Sequence, residues 1–413
     1  NELNSMVGGI LYMPFARTLG GFSRTSVIGS VYNMKLDSRR RKVALRIFAS
    51  RRPSYLRGLA YDTYKSSEWT TESANRKLFP APVPPRGLPV EDSSMNTFMT
   101  GSGFAKKPYT RCEVWPHPDI VTGFFTPPRT DVIRAPVGEM IINEYNIADS
   151  GELVGGMNYV SYVSGTRKRA VPPVPDAGRL LQVPQELDAV LREIASRIFS
   201  GCSDSADKIK SVVEYFNKEF TYAPGIIVPK DADPVVFFLR EKKEAHCEYF
   251  ATAAVLLLRK AGVPARYVVG FVPREQNRMG GYWVARNRDA HAWVEAYDPV
   301  RGWCTVDPTP GGDGNLFSTH RSSLSDLWDY IKFRVQEFQT RIRISGLTGL
   351  WRWLSGVGRD IFRLLLHSSP LALALKTAAL VLLVLLLLRR RKSAGGRASP
   401  DPYARLHVLL RKM

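Results

Sequence analysis

Apolar and polar positions change their period twice along this chain. Up to about Gly165 the pattern is strand-like: residues 42–48 alternate charged and apolar side chains in part, and 140–147 and 157–163 are rich in β-branched and aromatic residues between Gly and Pro breaks. Two helical stripes follow, first Leu187, Val190, Leu191, Ile194 and Ile198, then Ile209, Val212, Val213 and Phe216. Residues 223–233 read as loop, because Pro224 and Gly225 make a turn signal and Pro229 breaks whatever follows. A third helix is expected from Cys247 to Lys260, with Gly262 as its left-handed cap and Pro264 as its stop. The period then falls to two, giving strands at 265–271, 282–287, 290–297 and 303–306. Helices followed by antiparallel strands predict an α+β fold behind a β-rich segment.

The two segments are joined by a stretch rich in Pro, Arg and Lys, in which Val171 to Pro175 favour an extended linker. Towards the C-terminus, Leu327, Ile331, Val335, Phe338 and Ile342 form a helical stripe. It either packs on its own domain or lies near a membrane. Leu371 to Leu388 is apolar except for Lys376 and is long enough to cross a bilayer, for which about 17–25 residues are needed. Arg389 to Lys392 follow at once, so the positive-inside rule puts the tail in the cytoplasm and the preceding domain outside it. The expected layout is a β-rich domain at 1–165, a linker at 166–184, an α+β domain at 185–320, an amphipathic juxtamembrane region at 321–369, one transmembrane helix at 370–389 and a basic tail at 390–413. A chain that begins at Asn1 reads as a fragment of a longer one.

The net charge of +20 raises the question of a nucleic-acid partner. The cations are scattered in separate clusters, Arg39 to Lys42, Arg167 to Arg169 and Arg389 to Lys392, without interleaved aromatics, so none is expected. Four cysteines, Cys112, Cys202, Cys247 and Cys304, show no metal-ligand spacing, and no EF-hand loop is present. No cofactor or metal is expected. A disulfide between two cysteines other than Cys247 is compatible with an extracytoplasmic location.

A catalytic thiol needs a base or a helix N-terminus to ionise it. Cys247 opens a helix, and so sits in the positive field of unsatisfied N–H groups that can also hold an oxyanion. His291 begins one strand and Asp307 ends the next, so pairing of the two strands brings base and orienting carboxylate together. The stretch Ala245-His246-Cys247-Glu248-Tyr249-Phe250-Ala251 with Gly262-Val263-Pro264-Ala265-Arg266 resembles the cysteine motif of transglutaminase-like bacterial proteins. Asp289-Ala290-His291-Ala292-Trp293-Val294-Glu295 resembles their histidine motif, and Gly302-Trp303-Cys304-Thr305-Val306-Asp307-Pro308-Thr309-Pro310 their aspartate motif. The resemblance covers about residues 180–310. It is similar in particular to membrane-embedded members, in which spans precede a β-rich segment, the enzyme domain and one further span; residues 57–64 resemble that segment.

The resemblance implies a papain-like core and acyl-enzyme chemistry at a catalytic triad of Cys247, His291 and Asp307, acting on a protein or peptide carboxamide. One departure is His246, where many relatives carry an aromatic residue or Gly; adjacent helix residues point to different sides, which favours His291 as the base. The rival readings are a cysteine protease or peptidoglycan amidase using the same triad, and an envelope scaffold with an idle core. The expected membrane partner is the bilayer, through Leu371 to Leu388.

Overall fold

The computed structural model describes residues 25–29, 33, 38–89, 94–101, 109–120, 123–150, 156–164, 174, 177–223, 226–229, 231–242, 244–311 and 324–342. They form four antiparallel sheets, two of three strands and two larger ones that position the site. The strands of the two larger sheets, in chain order, are β1 (Val43–Ala49), β2 (Leu56–Tyr61), β3 (Asn96–Met99), β4 (Tyr109–Pro116), β5 (Thr130–Ala135), β6 (Tyr159–Ser164), β7 (Ala265–Phe271), β8 (Glu275–Asn277), β9 (Tyr282–Arg286), β10 (Ala290–Asp298) and β11 (Gly302–Val306). The larger sheet has the order β8-β9-β1-β4-β6-β5-β3 and the smaller β11-β10-β7-β2. Each of these two sheets therefore draws strands from both ends of the sequence, and all these strands lie in one compact unit.

The exchange has a steric condition. Where β2 crosses β7 the register shifts between Val269 and Gly270. A Cβ built on Gly270 would lie 2.0 Å from the Leu56 carbonyl oxygen and 3.0 Å from the ring of Trp293. Only glycine lets the backbone of β2 approach this closely.

Four helices stand over one face of the smaller sheet, with α4 (Cys247–Lys260) against its strands and α1 (Asp188–Ile198), α2 (Ser205–Glu219) and α3 (Pro234–Glu241) around α4. Every residue of α4 from Cys247 to Arg259 is buried, because α4 rests on β10 and β7 while α1, α2 and α3 cover its other sides. Phe216, Phe238 and Phe250 join α2, α3 and α4, with ring centroids 5.1–6.1 Å apart. The buried Arg259 is matched at each end of its guanidinium, donating to the carbonyls of Ala265 (2.9 Å), Gln182 (3.1 Å) and Asp62 (2.7 Å).

Helix α3 has no counterpart in the expected pattern, which passed from a loop at 223–233 to the helix at Cys247. Asp233 caps it by accepting from the Val235 and Val236 N–H groups, and Pro234 occupies its first turn. Its eight residues bury only Val235, Phe238 and Leu239, too few to show a helical period. The Asp-Pro pair was the available signal.

The last described helix, α5 (residues 324–342), docks through the face opposite its apolar stripe. Asp326, Asp329, Phe333, Glu337 and Thr340 are buried, whereas Leu327, Trp328, Ile331, Val335 and Ile342 are exposed. Phe333 packs on Phe48, Trp115 and Tyr282. Asp329 accepts from Arg46 (2.9 Å) and from the Tyr282 hydroxyl (2.8 Å).

None of the four cysteines is in a disulfide. Among the described residues no helix is long and apolar enough to cross a membrane. The span expected at Leu371 to Leu388, the basic tail and most of the linker lie outside the described residues.

Candidate active site

Cys247 is the first residue of α4, and the residue before it, His246, is extended (φ −96°, ψ 172°) without a side-chain capping bond. The first N–H groups of α4 are thus not capped by the preceding side chain, as an anion-stabilising helix end requires. Cys247 is fully buried and His291 only 2% exposed, so charges that form here are poorly screened.

His291 is the second residue of β10 and pairs with Gly270 of β7. Strand β11 runs antiparallel to β10 and ends with Val306 opposite Val294, which delivers Asp307 alongside. His291 Nε2 donates to Asp307 Oδ2 at 2.7 Å. The same oxygen accepts from the Tyr55 hydroxyl at 2.9 Å, and the other, Oδ1, from the Thr309 N–H at 3.0 Å. With its Nε2 committed to the carboxylate, the imidazole keeps Nδ1 for Cys247.

Burial works against charge on both members of this pair, and electrostatics reverses it. Desolvation lowers the affinity of His291 for its proton, but Asp307 and Cys247 outweigh it and push the imidazolium pKa up to about 9. Desolvation raises that of Asp307, but His291 and the Thr309 N–H hold it down at about 2. Between these values the pair exists as imidazolium and carboxylate, which fixes the ring's orientation.

The structure therefore brings together all three residues singled out by sequence, Cys247, His291 and Asp307. His246 takes a different role: its Nε2 is 3.0 Å from the buried Glu248 Oε2, which also accepts from the Gly29 N–H at 3.1 Å. Two further side chains stand at the site, of which Trp293 lies within the histidine motif and Tyr55 has no signal in the sequence. Tyr55 precedes β2 and is 252 residues from the carboxylate it contacts. Trp293 packs between Tyr55 (5.0 Å) and His291 (6.3 Å), with a buried Nε1 that has no hydrogen-bond partner. Among the described residues no group of three or more His, Cys, Asp or Glu side chains is placed to hold a metal ion.

Comparison with known proteins gives a family match over the segment that carries Cys247, His291 and Asp307. Residues 192–308 match the sequence model of the family described as the Transglutaminase-like superfamily. The chain is 39% identical over 140 residues to the uncharacterized protein YebA of Bacillus subtilis (strain 168), covering 32% of this chain and 19% of YebA. It is 34% identical over 134 residues to a protein-glutamine gamma-glutamyltransferase of Pseudomonas aeruginosa, covering 32% of this chain and 20% of that enzyme. The matched part is thus about a fifth of each relative's length. The crystal structure of the periplasmic domain of TgpA from Pseudomonas aeruginosa superposes with a TM-score of 0.55 at 21% identity, over 70% of this chain and 93% of that domain. That likeness is one of fold.

Proposed function

We propose that this chain, whose residues 192–308 match the Transglutaminase-like superfamily, is a thiol-dependent acyl-transfer enzyme acting on protein or peptide carboxamides. The hydrogen-bonded His291 and Asp307, with Cys247 at the start of α4, is the observation that carries this reading. In it, Cys247 attacks the carboxamide carbonyl and the oxyanion is held by the N–H groups at the start of α4. His291 gives its proton to the departing ammonia or amine, and an incoming amine or water, deprotonated by the neutral ring, then releases the thioester. A dry site favours transfer to an amine over hydrolysis, and here Cys247 is fully buried. That burial supports crosslinking over deamidation or peptide cleavage.

The test is alkylation of Cys247 by iodoacetamide across pH, mapped by mass spectrometry. A raised pKa means that His291 is protonated below about 9, so the ring is charged throughout the neutral range. Labelling is expected well below the free thiol value of about 8.5 and is expected to be lost in His291→Ala. Slow labelling with no dependence on His291 would transfer the reading to an envelope scaffold.

We further propose that the domain is extracytoplasmic and membrane-attached. Support comes from the apolar stretch Leu371 to Leu388 with its following cations, from the periplasmic source of the TgpA fold, and from α5. The acids of α5, Asp326, Asp329 and Glu337, are buried, whereas Lys332 and the apolar stripe face outward, as on a helix lying at an anionic lipid surface. Expressed whole, the chain should pellet with membranes and be released by detergent but not by high salt; release by salt alone would reject the span.

A further inference from the structure

We propose that Tyr55 is a positioning residue of the active site, supplied by the β-rich segment to a core that is one side chain short without it. The inference rests on the reading of Cys247, His291 and Asp307 given above. Residues 192–308 contain the nucleophile, the base and the carboxylate, but not this tyrosine. The Tyr55 hydroxyl donates to Asp307 Oδ2 at 2.9 Å, to the same oxygen that accepts from His291 at 2.7 Å. Its ring packs on Trp293 at 5.0 Å and lies beside the His291 ring at 6.4 Å. One side chain therefore restrains the carboxylate by hydrogen bonding and the imidazole by contact.

The backbone around Tyr55 explains how so distant a residue is held. Leu56, next in sequence, pairs with Phe271 at the end of β7, and Arg57 bonds across to Thr126 through both backbone groups. The Arg57 side chain forms an ion pair at 3.0 Å with Glu295 of β10, two residues beyond Trp293. Gly270 admits the Leu56 carbonyl at a distance that no other residue would allow. The start of β2 is thus pinned from three sides, and Tyr55 has little freedom to leave the site.

The hydrogen bond has a definite electrostatic consequence. A donor on Asp307 Oδ2 disperses carboxylate charge that would otherwise act wholly on the imidazolium. Tyr55 therefore eases release of the His291 proton to the leaving group. The groups facing His291 are Asp307 after β11, Cys247 of α4, and Tyr55 with Trp293; Arg57 and Glu295 are paired with one another farther along β2 and β10.

The experiment uses the whole chain and reads His291 through Cys247. Anionic iodoacetate is drawn to the thiol while the imidazolium is charged, so its rate falls as His291 loses its proton; neutral iodoacetamide lacks this fall. In Tyr55→Phe, which keeps the ring and its packing, the fall is expected to move to higher pH by about half a unit or more, because one donor to Asp307 is gone. Tyr55→Ala, which also removes the ring from Trp293 and His291, is expected to lower the plateau rate about 10-fold as well. A Tyr55→Phe profile that superimposes on wild type, or moves to lower pH, overturns the proposal while leaving the nucleophile reading intact. Absence of any His291 dependence in wild type overturns both.

Discussion

Replacing Cys247 by alanine is expected to abolish turnover, by at least about 10⁴-fold, without changing the melting profile of the domain. The thiol supplies the bond to the acyl group, and neither His291 nor a bound water reproduces it at that position. The substitution removes one buried sulfur at the end of a helix whose other contacts are made by Tyr249, Phe250 and the residues beyond. His291→Ala is expected to cost about as much, because a nucleophile and its base act as one unit, and the double variant should be little worse than either single one. Asp307→Asn should leave a weak remainder: it loses the charge that holds the imidazolium up to about 9, but keeps oxygen and shape. The measurement is incorporation of a fluorescent amine into a glutamine-containing peptide, with released ammonia followed in parallel. Undiminished activity in Cys247→Ala would sink the mechanism.

The largest effect on stability is expected at Glu295. Its carboxylate lies between two buried guanidinium groups, with Arg57 Nε 3.0 Å from Oε1 and with Arg266 Nε and Nη2 donating to Oε2 at 2.8 and 2.6 Å. Arg266 also rests on the Trp303 ring, 4.0 Å from its centroid, and Arg57 donates to the Tyr145 carbonyl. Glu295→Ala leaves two cations in a dry interior, which is expected to cost about 3–5 kcal/mol. Burial raises the carboxyl pKa of Glu295, but the two arginines outweigh it and the net shift is downward. With a lowered folded-state pKa, its contribution is fully present above the unfolded carboxylate pKa and is lost as pH falls through the folded value. Urea denaturation of wild type and Glu295→Ala at neutral and acidic pH checks this: the gap between them should narrow in acid. An unchanged gap would mean that the loss comes from packing rather than charge. Arg57 belongs to β2, so the same substitution should also loosen the start of that strand, where Tyr55 stands.

The helix at Cys247 and the strands that carry His291 and Asp307 were legible because their signals are local. A polar break before a largely apolar helix, a Gly-Pro stop and a period of two each act over one or two turns of chain. The strand at 265–271 has the expected bounds, and those of its neighbours differ from expectation by a residue. Helix α3 escaped because eight residues with three buried positions carry too little period, although Asp233 and Pro234 mark its start. The stripe on α5 was found, but not its direction. Spacing shows that apolar side chains share a face; it does not show that Arg46 and Tyr282 will satisfy the acids on the other one.

The sequence by itself determined the α+β order of elements, the position of Cys247 at a helix start and the candidacy of His291 and Asp307. Each of these is set by residue type and short-range spacing, which backbone geometry converts directly into a face or an end. Only the tertiary structure decided that the β-rich segment and the helical core share the seven- and four-stranded sheets, that His246 is bound to Glu248, and that Tyr55 adds a hydrogen bond to Asp307. Those outcomes depend on contacts between residues far apart in the chain, formed where Gly270 permits close approach and where buried charges such as Glu295 must find partners. Packing and desolvation fix them, and neither leaves a periodic trace in the sequence.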